Sequence, residues 1–371
     1  MIYIYMTIFS MFFAYLYTSI EKIRIVDGIE NNMTAKIEKY LFFTLSFLII
    51  CIPGMIRYNV GIDYTTYSSY QIPAVLGHQV VKVELLYKVV IWAGYWLGQG
   101  RTYQYIFAIT NFLIVFFVFK YIKDQSKNVY LSILIFMMGG FFTFSLSGMR
   151  QSIGVAIVLY ALKYIKEKRP ILFLVFIGIA TLFHSACILF VFFYIFKKIK
   201  INPFYMTLTM IFVFLLSGYI RQGIIFISDK LGLYSEYFGG QFDNGSFSKL
   251  LALVVIMMMC FVCFVYLQVP KAEFYKFNTE INLHYCACLV VAMIAKLPTP
   301  SRLLFLFIPI YITLVPNLGS VIKDARIRHL VYSAISVILV LFFIRFVLIQ
   351  NTYGTVPYQD IFNLSRFVKL S

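Results

Sequence analysis

Charge is what this sequence has least of. Only 13% of its 371 residues are Asp, Glu, Lys or Arg, against roughly a quarter in soluble domains, while 61% are hydrophobic. That balance excludes a soluble globular enzyme. Alternating apolar and polar segments of about ten residues are missing, which excludes a transmembrane β-barrel. Carboxylates are scarcer than cations, 15 against 32, for a formal charge of +17. The six cysteines (Cys51, Cys187, Cys260, Cys263, Cys286, Cys288) lie in or beside apolar runs. Cys260 with Cys263, and Cys286 with Cys288, have no His or Cys at zinc spacing, so neither a metal nor a disulfide is expected. No internal repeat or low-complexity tract stands out, and the chain reads as one integral membrane domain over 1–371. Met1–Tyr17 lacks the basic start of a cleavable signal peptide, so the first span is expected to serve as the targeting signal.

What is there is a series of long apolar runs, each near the roughly 20 residues that cross a bilayer as a helix. The fold class is therefore all-α and polytopic. The +17 charge does not point to nucleic acid. The basic residues sit in short clusters between apolar runs, as in cytoplasmic loops beside anionic lipid. Those clusters orient the chain. Lys22, Arg24, Lys36 and Lys39 follow the first span (3–20) and place its N-terminus outside. The second span (40–56) then runs outward. Val83–Gly98 is apolar but short and carries Trp92, Tyr95 and Trp96. If it crossed, Lys120, Lys123 and Lys127 after the next span would fall outside, so it is expected to lie at the outer interface. Spans at 102–119, 129–146 and 151–165 follow. Ile171–Phe196 has basic clusters at both ends, which excludes one straight crossing. A re-entrant hairpin with its tip near Thr181–Ser185 fits, and non-helical backbone at that depth requires protein or a watery cavity around it. Spans at 203–220, 249–268, 278–295, 302–318 and 329–349 complete about ten crossings, with a long outer loop at 221–247.

Polar side chains gather on the side this orientation makes external. The loop RYNVGIDYTTY, Arg57 to Tyr67, directly follows the second span and holds a cation, the carboxylate of Asp63 and Tyr58, Tyr64 and Tyr67. Arg150 opens a span in SLSGMRQSIGVA, with Ser147, Gln151 and Gly154 on one helical face. A charge near hydrocarbon is costly, so it is expected to have a partner. Arg302 opens another span after Pro298 and Pro300, and His184 sits at the hairpin tip in LFHSA. Arg221 and Glu236 in the long loop, and Tyr358 in the tail, share that side. Asp63 has a plainer alternative as a turn cap, and Arg150 and Arg302 as snorkelling interfacial cations. His78 and His284 read as structural. Several arginines with few carboxylates suit a phosphate-bearing substrate, because guanidinium pairs bidentately with phosphate oxygens. Tyrosines suit the apolar faces of sugar rings.

In this order, RYNVGIDYTTY, Glu84 leading into an aromatic helix, SGMRQSIGVA, FHSA and the Ser301–Arg302 pair resemble the EpsG-like branch of the Wzy-type bacterial polysaccharide polymerases, over about residues 40–310. Glu84 is followed by Leu-Leu-Tyr where that pattern has Pro-Gly-Phe or similar. The resemblance implies a GT-C-like glycosyltransferase of the bacterial cytoplasmic membrane with its site facing outside. It would polymerise undecaprenyl-diphosphate-linked repeat units into an exopolysaccharide, capsule or O-antigen, beside a flippase and a chain-length regulator of the same pathway. On that basis Arg150 and Arg302 are assigned to the diphosphate, with Arg57 or Arg221 contributing. Asp63 is assigned to the acceptor hydroxyl with His184 as its alternative, Tyr64 and Tyr67 to the sugar, and Gln151 and Tyr358 to substrate binding. No cofactor or metal is expected, since no DxD motif stands on the outer side. A ligase-like glycan transferase and a flippase for the lipid-linked unit are the rival readings.

Overall fold

The computed structural model of the chain describes residues 1–27, 33–231, 237–240, 243 and 247–362, so Tyr234 and Glu236 of the long loop lie outside the described residues. Among the described residues every regular element is helical, and the one strand-like pairing is a bridge between Arg57 and Asp360. Hydrocarbon offers no partners for backbone N–H and C=O groups, and a helix pairs them internally. The apolar runs accordingly become α1 (Ile2–Asp27), α2 (Met33–Ile56), α3 (Leu85–Leu97), α4 (Gln104–Gln125), α5 (Val129–Met138), α6 (Phe141–Ser147), α7 (Met149–Lys166), α8 (Pro170–Phe183), α9 (Pro203–Leu231), α10 (Lys249–Gln268), α11 (Asn278–Ala292), α12 (Pro300–Phe307), α13 (Tyr311–Ser320) and α14 (Ala325–Phe343).

Among the described residues seven helical stretches are long and apolar enough to cross a membrane, and α5 with α6, bent by 49°, makes an eighth. The two further expected spans correspond to α7 and α11. Helix α7 carries Arg150, Lys163 and Lys166, and α11 has only 15 residues, about 22 Å of helix. With 13 residues, α3 reaches about 20 Å, too little to cross roughly 30 Å of hydrocarbon. In the expected hairpin, α8 stops at Phe183, His184 is extended (φ −155°, ψ 114°), and a 3₁₀ stretch runs from Ser185 to Phe192. The break lies inside the expected tip. One boundary moves: α9 continues unbroken to Leu231, so Arg221 stands on a helix and not in the loop expected to start there. Ile224, Ile225, Phe226 and Ile227 keep the apolar pattern going past that one charge.

The chain divides into two compact units, Met1–Val191 with the segment from Ser333 onward, and Phe192–Tyr332. In the first, α1 packs on α2 and α5, α2 on α4, α4 on α3 and α7, and α7 on α8. Helices α5, α6 and α7 are buried nearly all round, the pattern of elements at the middle of a bundle. In the second, α11 packs against α9, α10, α12 and α13. Its polar start has a local reason. Asn278 Nδ2 donates to the carbonyls of Lys197 and Ile199 (2.7 Å each), and Asn282 Nδ2 to those of Phe196 (2.8 Å) and Ile199 (3.0 Å). These amides bond carbonyls at and just beyond the end of the helical turn at Phe193–Phe196, where the chain leaves the helix. His284 is fully buried with Nδ1 2.9 Å from the Tyr311 hydroxyl.

Candidate functional site

The Arg57–Tyr67 loop is shaped by two left-handed residues and by the C-terminal segment. Asn59 has φ 51° and Gly61 φ 109°. A Cβ on Gly61 would stand 2.4 Å from the Leu146 carbonyl oxygen, so only glycine lets the loop lie against α6. Tyr58 N donates to Gln359 O (3.0 Å), Gly61 N to Gly354 O (2.9 Å), Ile62 N to Tyr353 O (2.9 Å) and Ile361 N to Ile56 O (3.0 Å). Residues 353–361 therefore fix the loop through main-chain bonds. Tyr358 belongs to this clasp, with its hydroxyl donating to Pro53 O at 2.7 Å.

Arg57 is 1% exposed. Its guanidinium donates to Leu146 O (2.6 Å) and Met149 Sδ (2.9 Å) and lies 5.8 Å from the Phe107 ring centroid. Tyr64 stacks on the same ring at 4.4 Å. Leu146 O is one of the carbonyls left unpaired where α6 ends, and a cation is favoured at that end of a helix. Gln104 Nε2 holds the carbonyls of Met55 (2.6 Å) and Arg57 (3.1 Å) from the other side. Burial draws the guanidinium down to about 10. Arg57 is thus part of the frame that fixes the break between α6 and α7, and presents no surface to a ligand.

Arg150, in the first turn of α7, is placed differently. Its Nη1 donates to Glu84 Oε2 and to Lys82 O (3.1 Å), and the guanidinium also bonds the Tyr67 hydroxyl. The other carboxylate oxygen of Glu84 lies 3.4 Å from His184 Nδ1 and accepts from Ser185 N at 3.4 Å. Three elements meet here: the start of α3 (Glu84), the start of α7 (Arg150) and the break after α8 (His184). Their side chains are 19%, 20% and 27% exposed, buried enough to be held and open enough to be reached. Burial alone would raise the Glu84 carboxyl, but the His184 hydrogen bond and the Arg150 charge outweigh it and hold the group at about 2. A Cβ on Gly154 would stand 2.7 Å from Cys187 Sγ and 3.3 Å from His184 Cβ, so α7 carries glycine where the broken segment crosses it.

The remaining residues of the loop and of the start of α7 have partners of their own. Asp63 occupies the N-cap position of the short helix Tyr64–Thr66 without a side-chain cap bond, and its amide donates to Ser147 Oγ at 3.3 Å. Tyr67 packs edge-on against Tyr87 at 5.8 Å, and Gln151 is buried in the first turn of α7. Of the residues singled out from the sequence, the first unit thus brings Tyr67, Arg150 and His184 together around Glu84, while Arg57, Tyr64 and Tyr358 belong to the frame of the loop. Glu84, whose carboxylate joins Arg150 and His184, was read from sequence only as the lead into an aromatic helix.

In the second unit Arg221 is committed to its own neighbourhood. Nη1 donates to Asp243 Oδ1 (2.9 Å) and Lys296 O (2.6 Å), Nη2 pairs with Asp243 Oδ2, and the Phe238 ring lies 5.5 Å away. The Arg221 hydrogen bond, aided by the Gly239 amide, holds the Asp243 carboxyl below the ordinary range. Arg302 is exposed in the first turn of α12, directly after Thr299 in the left-handed region (φ 43°).

No curated protein and no solved structure matches the chain. A family model does, and its match runs over residues 40–360, from α2 to the segment that clasps the loop, taking in Glu84, Arg150 and His184 on the way. The chain belongs to the EpsG family.

Proposed function

We propose that this protein is a polysaccharide polymerase that transfers a growing glycan from its polyprenyl diphosphate to a sugar hydroxyl of the next lipid-linked repeat unit, at the outer leaflet of a bacterial cytoplasmic membrane. EpsG membership supports a polymerase role in polysaccharide biosynthesis. The observation that carries the transfer chemistry is the partly open cluster of Arg150, Glu84 and His184 at three helix ends. In this reaction a diphosphate departs, so the protein's main task is to stabilise the charge accumulating on its oxygens. A cation held in a partly dry site does this without reorganising at the moment of reaction. Arg150 is that cation: it is fixed by Glu84 and the Lys82 carbonyl, yet a fifth of its side chain is exposed. Arg302, exposed at the start of α12 in the second unit, is proposed as a phosphate-binding cation in its own right. Arg221 serves instead to hold Asp243 and the Lys296 turn, and Arg57 acts as frame. Tyr67, bonded to Arg150, and Gln151, next to it in the first turn of α7, border the first unit's cluster and, with Asp63 and Tyr64 of the same loop, are assigned to the acceptor sugar.

The direct test is Arg150→Ala, measured as polymer formed in vesicles supplied with outward-facing lipid-linked repeat units. Losing one such donor costs about 3–4 kcal/mol in the barrier, roughly a 10²- to 10³-fold drop in rate. Wild-type polymer length and amount from an inserted Arg150→Ala protein overturns the diphosphate role. Absence of any polymer from the wild-type protein in the same vesicles overturns the polymerase reading in favour of a transporter.

A further inference from the structure

Glu84 is one of only 15 carboxylates in the chain, and the structure gives its two oxygens different partners. Oε2 pairs with Arg150 Nη1, while Oε1 faces His184 Nδ1 and the Ser185 amide. The charged and titratable groups around His184 are Glu84 from the start of α3, Arg150 from α7, and Cys187 from its own 3₁₀ stretch. Tyr67 and Tyr87 stand behind Arg150. Glu84 is the carboxylate that reaches the imidazole.

We propose that Glu84 is the positioning residue of glycan transfer, holding the His184 Nδ1 proton so that Nε2 is left as the acceptor for the proton of the incoming sugar hydroxyl. The proposal rests on the polymerase reading above. A neutral imidazole has one N–H and one lone-pair nitrogen, and whatever bonds the first decides which face of the ring acts as a base. His184 is suited to this because it sits in the helix break: its backbone is extended, so the side chain leaves the α8 surface and meets α3 and α7 together. The step balances without a further reactant. The acceptor oxygen forms a bond to the anomeric carbon of the donor glycan as that carbon's bond to the diphosphate oxygen breaks. The bonding pair leaves on the diphosphate beside Arg150, and the hydroxyl proton passes to His184 Nε2 and from there to water. One carboxylate thereby sets the place of both the cation at the leaving group and the base at the nucleophile. This separates the two acceptor-side candidates: Asp63 binds the acceptor, and His184 takes its proton.

The test compares wild-type protein with Glu84→Gln, Glu84→Asp, His184→Gly and the double variant Glu84→Gln/His184→Gly, all reconstituted with lipid-linked repeat units. His184→Gly is expected to lose about 10²- to 10⁴-fold in kcat, the range of positioned acid–base groups, and to regain rate when free imidazole is added. Glu84→Gln is expected to lose kcat comparably, and Glu84→Asp, which keeps the charge one methylene shorter, to retain an intermediate rate. Because Glu84 acts on the proton transfer through His184, the double variant should lose much less than the product of the two single losses. If Glu84→Gln does not insert, the Asp variant carries the comparison. Failure of imidazole to restore His184→Gly, wild-type kcat in Glu84→Gln, or multiplicative losses in the double variant each overturn the positioning role while wild-type polymerisation stands. If the wild-type protein makes no polymer, the reaction itself is wrong and the inference falls with it.

Discussion

Arg57 and Arg150 look interchangeable in the sequence, each a lone cation at the end of an apolar run, and the structure gives them opposite work. Arg57 is sealed under the loop and bonds a carbonyl and a sulfur; Arg150 is partly open and bonds a carboxylate. Nothing in the local sequence separates them, because the Arg57 acceptor is the Leu146 carbonyl, 89 positions away. Glu84 was hidden for the same reason, since Arg150 lies 66 positions along the chain and Ser185 101. Replacing Arg57 with Ala leaves the end of α6 unsatisfied and opens a cavity. It should cost about 2–4 kcal/mol, read as a lowered melting temperature in detergent, with Arg57→Lys only partly better because a point charge does not reproduce the fork. Glu84 predicts a pH dependence. Its folded value of about 2 lies below the ordinary carboxyl value, so its contribution is present above roughly pH 4.5 and is lost as pH falls toward 2. A loss of the order of 3 kcal/mol is expected across that window, and Glu84→Gln should abolish this part of the acid sensitivity when melts are recorded from pH 7 to 2.

At the scale of elements, hydropathy made the helices legible and left their breaks half legible. Basic clusters at both ends of 171–196 call for a turn between them, and the break at His184 falls within the expected tip. The bend between α5 and α6, at Gly139 and Gly140 (φ 78°), lies inside a run read as one continuous span. Two glycines permit a break but do not require one. A single arginine at 221 reads in the sequence as the start of a loop, whereas α9 runs on past it and the guanidinium reaches Asp243 and the Lys296 carbonyl from a helix. The crossing of α7 with the broken segment is the element-scale feature most open to test. An added Cβ at Gly154 falls within 2.7 Å of Cys187 Sγ, so Gly154→Ala must push the 185–192 stretch away and carry His184 with it. We expect a destabilisation of about 1–3 kcal/mol with reduced polymer formation. Cys187→Ala in the same chain should recover much of both, because it removes the atom in the way, and the double-mutant cycle measures that coupling.

At the scale of the first unit, the two ends of the bundle differ in a way that gives the basic clusters physical content. One end brings together Tyr3, the Ile56 end of α2, Gln104 and Arg150, all bonded to the loop, to the clasp or to Glu84. The other end carries lysines set over tyrosine rings: Lys39 over Tyr17 at 5.1 Å, Lys123 over Tyr40 at 4.9 Å and Lys163 over Tyr160 at 4.0 Å. An ammonium over an aromatic face at a helix end suits the boundary between hydrocarbon and water. A helix of 24 residues such as α2 separates the two ends by about 36 Å, enough to put them in different leaflets. Loops rich in lysine stay on the cytoplasmic side, and on that rule we propose that the Glu84–Arg150–His184 cluster faces outward, where a glycan would be extended. This is open to a direct measurement in cells. With the six native cysteines replaced, Tyr70→Cys, at a position 59% exposed beside the loop, should react with a membrane-impermeant thiol reagent added to intact cells. Glu167→Cys, exposed at the lysine-bearing end of α7, should react only after the membrane is opened. The reverse pattern would put the cluster in the cytoplasm and remove the case for outer-leaflet polymerisation, while leaving the geometry of the cluster as it is.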